Sequence, residues 1–394
     1  MEKNPSREMK NIRCAVIGIG NMGSKYAVML DRGEIEGLSL TAVCCRSDER
    51  AAWARANLSA DVQICRSEDA LYEAADTFDA VIIVTPHKQH PAMAIRAFAA
   101  GKHVMCDKPA GTTAADALSM NEAATRSGRV YAMMCHQRAY DKHVKIRDLL
   151  QEGAVGRICR VSLENSRFFR ARFYQASGSW GSSWTGEGGG ALINQGYHLL
   201  DFWLYLFGLP QSVYADIPFG KYNDFSVDDE TTLVLDYPDK MTGTFILTTG
   251  EGVWAERMEI IGTGGRILLE DDRLTLTRFD QDLRDYARTA QVTARQELGE
   301  TTEVFDFGSY DRAYHIMLQN FSDAIRSGAP LIAPGEDSAN ALSLINAAYL
   351  SAWEGRKITL PADQTEYQAA LQEQVAQEGA AQELAGRHQA SSST

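Results

Sequence analysis

The chain has 394 residues, 45% of them hydrophobic and 23% charged, a composition typical of a folded globular protein. Its length suffices for about two domains with substantial cores. Lys and Arg number 39 against 52 Asp and Glu, which gives a formal net charge of −13. This acidic balance argues against binding to nucleic acid or to an anionic membrane, although a local cleft could still take an anionic small molecule.

The cysteines and the start of the chain bear on its cellular location. Seven cysteines are odd in number and lack a C-x-x-C pair, which is typical of reduced thiols in a cytoplasmic protein. The first residues, MEKNPSREMKN, lack the apolar centre of a signal peptide, and no apolar run approaches the ~20 residues of a membrane span. We therefore expect a soluble cytoplasmic protein with a polar arm over residues 1–11.

Residues 12–32, IRCAVIGIGNMGSKYAVMLDR, predict a buried strand, a glycine-rich turn and a helix. Glycines in a G-x-G-x-x-G spacing allow a tight turn, close approach of the backbone to a pyrophosphate and close packing of helix on strand. The helix N-terminus then attracts phosphate. Because the motif joins a strand to a helix, it predicts a nicotinamide dinucleotide site. The residues expected to contact the cofactor here are Gly18, Gly20, Asn21, Met22 and Gly23.

The end of the second predicted strand bears on which dinucleotide is bound. NAD-binding proteins usually carry an acidic residue there for the ribose hydroxyls. In LSLTAVCCRSDER (38–50) this place is Cys45-Arg46-Ser47, and Asp48 comes later. Arg46 and a hydroxyl suit the 2′-phosphate of NADP, but Arg46 could equally stack on the adenine. The predicted cofactor is therefore NAD or NADP, contacted by Cys45 and Arg46.

Two further strand ends follow in FDAVIIVTPHKQHPAMAIRAFAAGKHVMCDKP (78–109). Strands alternating with helices at this spacing predict a parallel sheet, whose ligand lies at the carboxyl ends of the strands. Pro109 disfavours helical backbone at Lys108, so the lysine should extend the strand end towards the crevice of the glycine loop. The residues that these ends contribute to the cofactor site are Thr85, His87, His90, Asp107 and Lys108.

One pattern in this segment resembles a zinc site. His87-x-x-His90 and His103-x-x-Cys106 have spacings found among metal ligands. Residues 103–106, however, are predicted as strand, where positions three apart face opposite sides of the sheet. We therefore predict no metal site.

Beyond residue 130 the pattern changes to short strands with turns between them. VYAMMCHQRAY (130–140) predicts one more strand, with Gln137 beyond it as a cofactor contact and Arg138 as a substrate contact. Strands are then predicted at 157–166, 231–237, 242–249, 256–261 and 266–277, and helices at 311–328 and 337–354. The predicted fold class is α/β: an N-terminal doubly wound parallel (Rossmann) sheet, then an α+β domain on a large open, mainly antiparallel sheet. The predicted domains are 12–135 for NAD(P) binding, 136–364 for substrate binding and oligomerisation, and 365–394 as a polar tail.

A glycine-rich segment, GEGGGALINQGYHLLDFWLYLFG (186–208), leads into an apolar helix. Asn194 and His198 are four residues apart and should share a helix face, with Asp201 within the next turn. A single histidine on an apolar helix is usually a hydrogen-bonded core residue. The glycines before it, and Lys108 in the other predicted domain, favour a functional role instead.

The segment ENSRFFRARFYQASGSW (164–180) places three arginines before that motif. If it is extended, Arg170 and Arg172 share one face. Arginine forks suit carboxylate, phosphate or sulfonate groups, so an acidic or sulfonated sugar is one interpretation. The other interpretation is that Arg167, Arg170 and Arg172 are solvated surface residues, and the usual exposure of arginine slightly favours it.

Three of these motifs, in this order, resemble the glucose–fructose oxidoreductase, inositol dehydrogenase and rhizopine-catabolism (Gfo/Idh/MocA) family, over residues 12–360. GIGNMG is similar to its dinucleotide loop. CDKP is similar to its Glu-Lys-Pro motif, with Asp107 in place of Glu. GGGALINQGYHLLD is similar to its Asp-x-x-x-His motif, with Asn194 in place of Asp.

The resemblance implies an NAD(P)-dependent oxidoreductase acting on a sugar, cyclitol or related polyol, with Lys108 and His198 as catalytic residues. Lys108 would favour alkoxide character on the substrate hydroxyl. His198, with an ordinary pKa of about 6.5, would take or return the proton, whereas Asn194 can only orient groups by hydrogen bonds. A homo-oligomer assembled through the open sheet is also implied. The implied substrate-binding residues are Lys108, Arg138, Arg170, Arg172, Tyr174, Asn194 and His198.

Two other functions remain open at the level of sequence. A glycosidase of this wider group uses the nicotinamide without consuming it and needs a further base, for which Tyr174, Tyr197 or His136 could serve. A non-enzymatic sensor of sugars or dinucleotides is the second. The presence of both Lys108 and His198 argues against that sensor.

Overall fold

The computed structural model describes residues 11–173, 181–291, 299–308 and 312–391. The chain folds as two compact units, one of residues 1–139 and 311–339, the other of residues 140–310 and 340–394. The predicted boundary at residue 135 is close to the first division, but residues 311–339, predicted in the second domain, pack with the first unit. Tyr314 explains this difference, because its ring stacks on His136 at a centroid distance of 4.4 Å and lies 5.8 Å from the ring of Tyr26.

In the described part of the first unit, six parallel strands form one sheet in the order β3-β2-β1-β4-β5-β6. The strands are β1 (Ile12–Ile17), β2 (Leu38–Cys44), β3 (Gln63–Cys65), β4 (Ala80–Ile83), β5 (His103–Cys106) and β6 (Tyr131–Met133). The helices between them are α1 (Asn21–Asp31), α2 (Asp48–Asn57), α3 (Glu68–Glu73), α4 (His90–Ala99) and α5 (Ala114–Ser127). The strand order reverses between β1 and β4, where sheets of this class hold their ligand.

The central strands of this sheet are buried on both faces. Val16 and all four residues of β4 have no solvent exposure. A parallel strand covered on both faces needs no polar alternation, which explains the nearly continuous apolar runs in the sequence. The predicted doubly wound parallel sheet is therefore confirmed, and residues 103–106 form the predicted strand.

In the described part of the second unit, nine strands form a sheet in the order β14-β13-β12-β11-β7-β10-β9-β8-β15. The strands are β7 (Ile158–Asn165), β8 (Ser212–Asp216), β9 (Glu230–Asp236), β10 (Thr242–Thr248), β11 (Glu256–Gly262), β12 (Gly265–Glu270), β13 (Arg273–Phe279), β14 (Glu300–Asp306) and β15 (Ile358–Thr359). The remaining helices are α6 (Asp141–Gln151), α7 (Tyr197–Phe207), α8 (Leu283–Thr289), α9 (Ala313–Ser327, in the first unit), α10 (Ser338–Glu354) and α11 (Gln364–Ser391). Neighbouring strands are antiparallel except β7 and β10, which run parallel.

The structure differs from the predicted strands in two ways. Residues 266–277, predicted as one strand, form β12 and β13, because the chain reverses at Asp271 with φ of +52°. Strands β3, β8, β14 and β15 were not predicted. Strand β14 is almost entirely exposed, so it lacks the alternation of apolar and polar residues that reveals a half-buried strand.

The second sheet is covered on one face and open on the other. A Cβ atom on Gly243 of β10 would lie 2.5 Å from Trp203 Cζ2, so helix α7 packs directly on this strand. On the opposite face Tyr214 and Val234, which are paired across β8 and β9, each keep 42% of their surface exposed. The predicted open, mainly antiparallel sheet is confirmed.

The described part of the predicted polar tail forms a helix, α11, which is docked on the second unit through its first half. Tyr367 at its start is fully buried, with its ring 5.9 Å from that of Trp353. Further along, the Glu378 carboxylate is 6% exposed and accepts hydrogen bonds from the N–H groups of Trp184 (3.0 Å) and Thr185 (2.9 Å). It also accepts from the Ser226 hydroxyl at 2.9 Å. One buried carboxylate thus ties the helix to the loop that precedes the glycine motif.

Three properties of the described residues bear on function classes. None of their helices is both long and apolar enough to cross a lipid bilayer. No group of three or more His, Cys, Asp or Glu in the described ranges could hold a metal ion. The seven cysteines are free thiols, and all but Cys159 are buried.

We expect Glu378→Ala to lower the free energy of unfolding by about 2–4 kcal/mol, because two buried N–H groups lose their acceptor. Urea denaturation would measure the change. Glu373→Ala, at an exposed position of the same helix, is the matched control and should change stability by less than about 0.5 kcal/mol. Equal losses in the two variants would contradict the assigned role of Glu378.

Candidate functional site

The glycine loop after β1 has the shape that a pyrophosphate requires. Gly18 has φ of +96°, and a Cβ atom there would lie 2.6 Å from the carbonyl oxygen of Val84. A Cβ atom on Gly23 would lie 1.9 Å from the oxygen of Gly18, whereas one on Gly20 would meet nothing within 4 Å. Gly20 is also the N-cap of α1 and has no side chain to bond the first N–H groups. The fold therefore requires Gly18 and Gly23, while Gly20 borders open space at a helix N-terminus, which suits phosphate.

The end of β2 is basic. Cys45 is buried, and Arg46 beyond it is exposed. The Arg66 guanidinium donates to the carbonyl oxygen of Arg46 at 2.6 Å and pairs with Asp48 at 2.8 Å. Arg66 was not predicted from the sequence, although its position directly after β3, the neighbouring parallel strand, placed it at this edge. Ser47 caps α2 by accepting from the N–H of Arg50 at 3.2 Å.

Asp107 and Lys108 follow β5 at the same carboxyl edge of the sheet. The N–H of Asp107 donates to the oxygen of Ile83 in β4 at 2.8 Å, and the N–H of Lys108 donates to Asp107 Oδ1 at 2.9 Å. Burial raises the pKa of Asp107 to about 6, and the adjacent Lys108 opposes that rise. Both residues are half-buried, so the lysine extends from a strand end that is held in place.

His90 connects the ends of β4 and β5. Its ring is 1% exposed, with Nδ1 2.7 Å from the oxygen of Pro109 and Nε2 2.6 Å from the oxygen of Thr85. Burial lowers the pKa of His90, and the two carbonyl contacts oppose this. Both ring nitrogens lie at carbonyl oxygens, and the neutral imidazole donates to one of them, so His90 helps to hold the two strand ends together. The buried His87 lies beside it, with ring centroids 6.2 Å apart.

Gln137 and Arg138 lie beyond β6, as predicted, and both are buried. Arg138 Nη1 donates to Asp337 Oδ2 at 2.7 Å and to the oxygen of Ile332 at 3.2 Å. These contacts use the guanidinium to hold residues 311–339 on the first unit. Arg138 is therefore not part of the proposed substrate site, while Gln137 remains a predicted cofactor contact.

In the second unit, a buried carboxylate anchors the start of the predicted site helix. Asp228 is 1% exposed, and its side chain accepts from the N–H groups of Gly190 (2.9 Å) and Leu192 (2.6 Å). The Tyr349 hydroxyl donates to the same carboxylate at 2.7 Å. Burial raises the pKa of Asp228, and these hydrogen bonds oppose the rise.

The glycine triplet fits against this anchor. A Cβ atom on Gly190 would lie 2.1 Å from the carbonyl oxygen of Asp228. Gly189 has φ of +148°, and a Cβ atom there would lie 2.2 Å from the Tyr349 hydroxyl. Asp228 and Tyr349 were not predicted as part of the site, because no local pattern connects such distant positions to the glycines.

The helix begins with a π-turn over Leu192–Gly196, which continues directly into α7. From Glu187 to Trp203, all of which are described, every residue is buried except Asn194 and His198. The two predicted site residues thus form the accessible stripe of an otherwise buried segment. A π-turn within a helix is frequent at functional sites.

Asn194 has a buried carboxylate as its neighbour. Its Nδ2 donates to Glu187 Oε1 at 2.5 Å, and the N–H of Ser182 donates to Glu187 Oε2 at 2.8 Å. Glu187 is 2% exposed. This glutamate was not predicted as a site residue, although it lies within the quoted GEGGG motif.

The three arginines of residues 164–180 have separate partners. Arg167 pairs with the buried Glu256 at 2.6 Å, and Arg172 pairs with the exposed Asp224 at 2.8 Å. The half-buried Arg170 donates to the carbonyl oxygen of Phe169 at 3.2 Å. Because the three arginines have different partners, their arrangement gives no support to an anion site that they share. The interpretation of the substrate as an acidic sugar stays a prediction.

The structure describes the surroundings of two of the three residues that a glycosidase could use as a further base. Tyr197 is fully buried, and His136 is stacked on Tyr314 with its Nε2 3.3 Å from that hydroxyl. Tyr174, predicted to bind substrate or act as a base, lies outside the described residues. These positions do not favour the glycosidase alternative.

Asp107 makes stability depend on pH. Its pKa is about 6 in the folded protein against an ordinary 3.8, so between these values the folded protein binds a proton that the unfolded chain has released. The contribution of this group to the free energy of unfolding therefore falls as pH rises from about 4 to about 6. We expect Asp107→Asn to remove this dependence and to be more stable than wild type at pH 7, by about 1–3 kcal/mol.

Urea denaturation at several pH values between about 4 and 7 would test this. Asp61→Asn, at an exposed position, serves as the control and should follow the wild type throughout. A loss of stability in Asp107→Asn at pH 7 would show that the ionised carboxylate stabilises the fold instead.

Comparison with known proteins agrees with this arrangement. Residues 12–135 match the family described as "Oxidoreductase family, NAD-binding Rossmann fold", and residues 143–268 match the "GFO/IDH/MocA C-terminal domain". A scyllo-inositol 2-dehydrogenase (NADP(+)) of Bacillus subtilis is 25% identical over 373 residues, which are 90% of this chain and 97% of that protein. D-glucoside 3-dehydrogenase of Escherichia coli is 24% identical over 371 residues, covering 89% and 97%.

A solved structure shows the same fold. The WlbA dehydrogenase of Bordetella pertussis, in complex with NADH and UDP-GlcNAcA, aligns with a TM-score of 0.74 over 90% of this chain and 100% of its own, at 22% identity. The matches confirm the predicted fold class, the nicotinamide dinucleotide cofactor and the enzyme class. With two family domains that together span more than half of its length, the chain belongs to the Gfo/Idh/MocA family of NAD-binding oxidoreductases.

Proposed function

We propose that the protein transfers a hydride between nicotinamide and a hydroxyl-bearing carbon of a sugar, cyclitol or related polyol. The observation that carries this proposal is the carboxyl edge of the first sheet, where the open space at Gly20 and the cationic Lys108 follow β1 and β5. The relatives named for scyllo-inositol and D-glucoside oxidation support the substrate class. Such substrates are small, neutral and rich in hydroxyl groups, which suits recognition by hydrogen bonds.

Each proposed site residue has a distinct role. A bound nicotinamide would supply the acceptor or donor of the hydride. Lys108 hydrogen-bonds the substrate hydroxyl and stabilises the alkoxide character that develops on its oxygen. His198 takes the hydroxyl proton, or returns it in the reverse direction. Asn194 hydrogen-bonds the substrate and exchanges no proton.

The basic end of β2 favours NADP over NAD. Arg46 is exposed, and Arg66 lies beside its carbonyl oxygen. No acidic residue occupies positions 45–47, where a carboxylate would repel a 2′-phosphate. The Bacillus subtilis relative, whose name specifies NADP(+), supports the same preference.

We also propose that copies of the chain assemble through the open face of the second sheet. Tyr214 and Val234 on this face are exposed large apolar residues. The same sheet carries an ion pair between its central strands β7 and β11, Arg160 with Glu259 at 2.9 Å. Exposed apolar residues of this kind are typical of a subunit interface.

A cytoplasmic location is part of the same proposal. The seven cysteines are free, and burial raises the pKa of several of them, including Cys44 to about 12. Free thiols of this kind persist where the surroundings are reducing.

The first experiment incubates the protein with NAD⁺ or NADP⁺ and a panel of free sugars, cyclitols, acidic sugars and nitrophenyl glycosides. Nicotinamide reduction and phenol release are followed together. We expect stoichiometric reduction with a free sugar or cyclitol, and a higher kcat/KM with NADP⁺. Phenol release that requires cofactor but leaves it oxidised would identify a glycosidase instead, and no reduction with any compound would contradict the proposal.

Variants of the two proposed catalytic residues test their roles. We expect Lys108→Ala and His198→Ala each to lower kcat by about 10²–10⁴-fold. The first variant loses the group that stabilises the substrate oxygen, and the second loses the group that takes the hydroxyl proton. Thermal denaturation would show that both still fold. Lys357→Ala, an exposed ion-pair residue, is the control and should retain wild-type kcat. Unchanged kcat in both site variants would remove them from the mechanism.

Substitutions at two glycines distinguish an effect on cofactor binding from an effect on folding. We expect Gly20→Ala to fold normally but to bind the dinucleotide about tenfold or more weakly, because its methyl group occupies the open space at the start of α1. Gly23→Ala should disturb the fold itself, because its methyl group would overlap the oxygen of Gly18. Fluorescence titration with NADPH and thermal denaturation would distinguish the two effects. Normal cofactor affinity in Gly20→Ala would place the pyrophosphate elsewhere.

A further inference from the structure

Glu187 is a buried carboxylate whose two oxygen atoms have different donors. Oε1 accepts from the side-chain amide of Asn194, and Oε2 accepts from the backbone N–H of Ser182. The side chain is 2% exposed, while Asn194 beside it is half-buried. A buried acceptor therefore lies directly behind one of the two accessible residues of the site helix.

The loop that carries Glu187 is held from several sides. The N–H of Gly186 donates to the Ser183 hydroxyl at 2.9 Å, and Ser183 forms an isolated bridge with Gly189. Glu378 of α11 receives the N–H groups of Trp184 and Thr185. The carboxylate of Glu187 is thus presented to Asn194 from a fixed backbone.

The contact determines which end of the Asn194 amide faces Glu187. A carboxylate can only accept, so the amide must turn its NH₂ group towards Glu187 and its Oδ1 away from it. We propose that Glu187 is a positioning residue that fixes the Asn194 amide in this orientation, so that Asn194 offers an acceptor oxygen to a donating hydroxyl of the substrate. This inference rests on the proposed function, in which Asn194 binds the substrate.

The consequence is a preference for a particular class of substrate. At the position that contacts Asn194, the substrate must carry a hydroxyl group that donates a hydrogen bond. Analogues with fluorine, hydrogen or a methyl ether there cannot donate, so they lose the hydrogen bond from the substrate to Oδ1.

Glu187→Gln should reverse the orientation of the amide. A glutamine has one acceptor oxygen, and the N–H of Ser182 is part of the backbone and cannot turn. The substituted side chain would therefore direct its oxygen to Ser182 and its NH₂ group to Asn194, which must then turn its own NH₂ towards the substrate. We expect kcat/KM to fall roughly tenfold, mainly through KM, because the substrate hydroxyl can no longer donate to residue 194 and must turn to accept from it.

Asn194→Asp in the wild-type background should also be unfavourable, because two carboxylates would be in contact and one would have to bind a proton. In the double variant Glu187→Gln, Asn194→Asp, the glutamine NH₂ group can donate to the aspartate. The double variant should therefore recover about tenfold or more of the kcat/KM lost in either single variant. A merely structural role for Glu187 would instead make the two losses accumulate.

The experiment compares wild type, both single variants and the double variant, by steady-state kinetics and by urea denaturation. Glu152→Gln, at an exposed position of the second unit, is the control and should match wild type in both. Recovery in the double variant, in kinetics and in stability, is the expected result. Glu187→Gln with wild-type KM, or a double variant no better than the single variants, would overturn the inference.

Denaturation separates this inference from the proposed function. If the wild type oxidises no polyol but the double variant recovers stability, the proposed function fails while Glu187 still orients Asn194. If the wild type oxidises a polyol and the double variant recovers nothing, the inference alone fails.

Discussion

Three buried carboxylates hold residues 182–192, and the proposed substrate side of the protein depends on them. Asp228 receives the N–H groups at the start of the site helix, Glu378 receives those of Trp184 and Thr185, and Glu187 receives that of Ser182. Most of this segment belongs to neither helix nor strand, so its backbone donors need acceptors from elsewhere. Burying a carboxylate costs several kcal/mol, and charge-assisted bonds to N–H groups offset much of that cost. The carboxylates therefore add little net stability, but they closely determine the geometry of the backbone.

This constraint explains how an apolar helix can present polar groups. Gly189 and Gly190 allow the chain to lie against Tyr349 and Asp228, and a π-turn then precedes α7. The surrounding side chains are buried, so Asn194 and His198 are left as the accessible stripe. A helix that packs its apolar residues on a sheet would otherwise present few polar side chains to a substrate. Here its fixed starting point determines which two residues face away from the core.

In the first unit, the ends of strands place polar side chains at the proposed site. Parallel strands buried on both faces end at one edge, so the residues that follow β1, β2, β4 and β5 meet there. His90 and Asp107 hold the ends of β4 and β5 with hydrogen bonds to backbone groups. Lys108 extends from this supported edge. The fold is shared by many enzymes with different substrates, so the particular chemistry depends on such side chains.

Local patterns in the sequence were sufficient for the parallel sheet and the glycine loop, and they single out Lys108, Asn194 and His198, whose roles stay predictions. Each of these depends on neighbours within one strand–turn–helix unit, where periodicity and glycine spacing carry the information. The extent of the first unit, the internal role of Arg138 and the docking of α11 depended on contacts between residues far apart in the chain. Glu187, Asp228 and Glu378 belong to that second group, because an isolated glutamate or aspartate has no local pattern that shows which backbone N–H groups it will meet. Their roles arise when folding buries them, since a buried carboxylate must find donors wherever the packed chain supplies them.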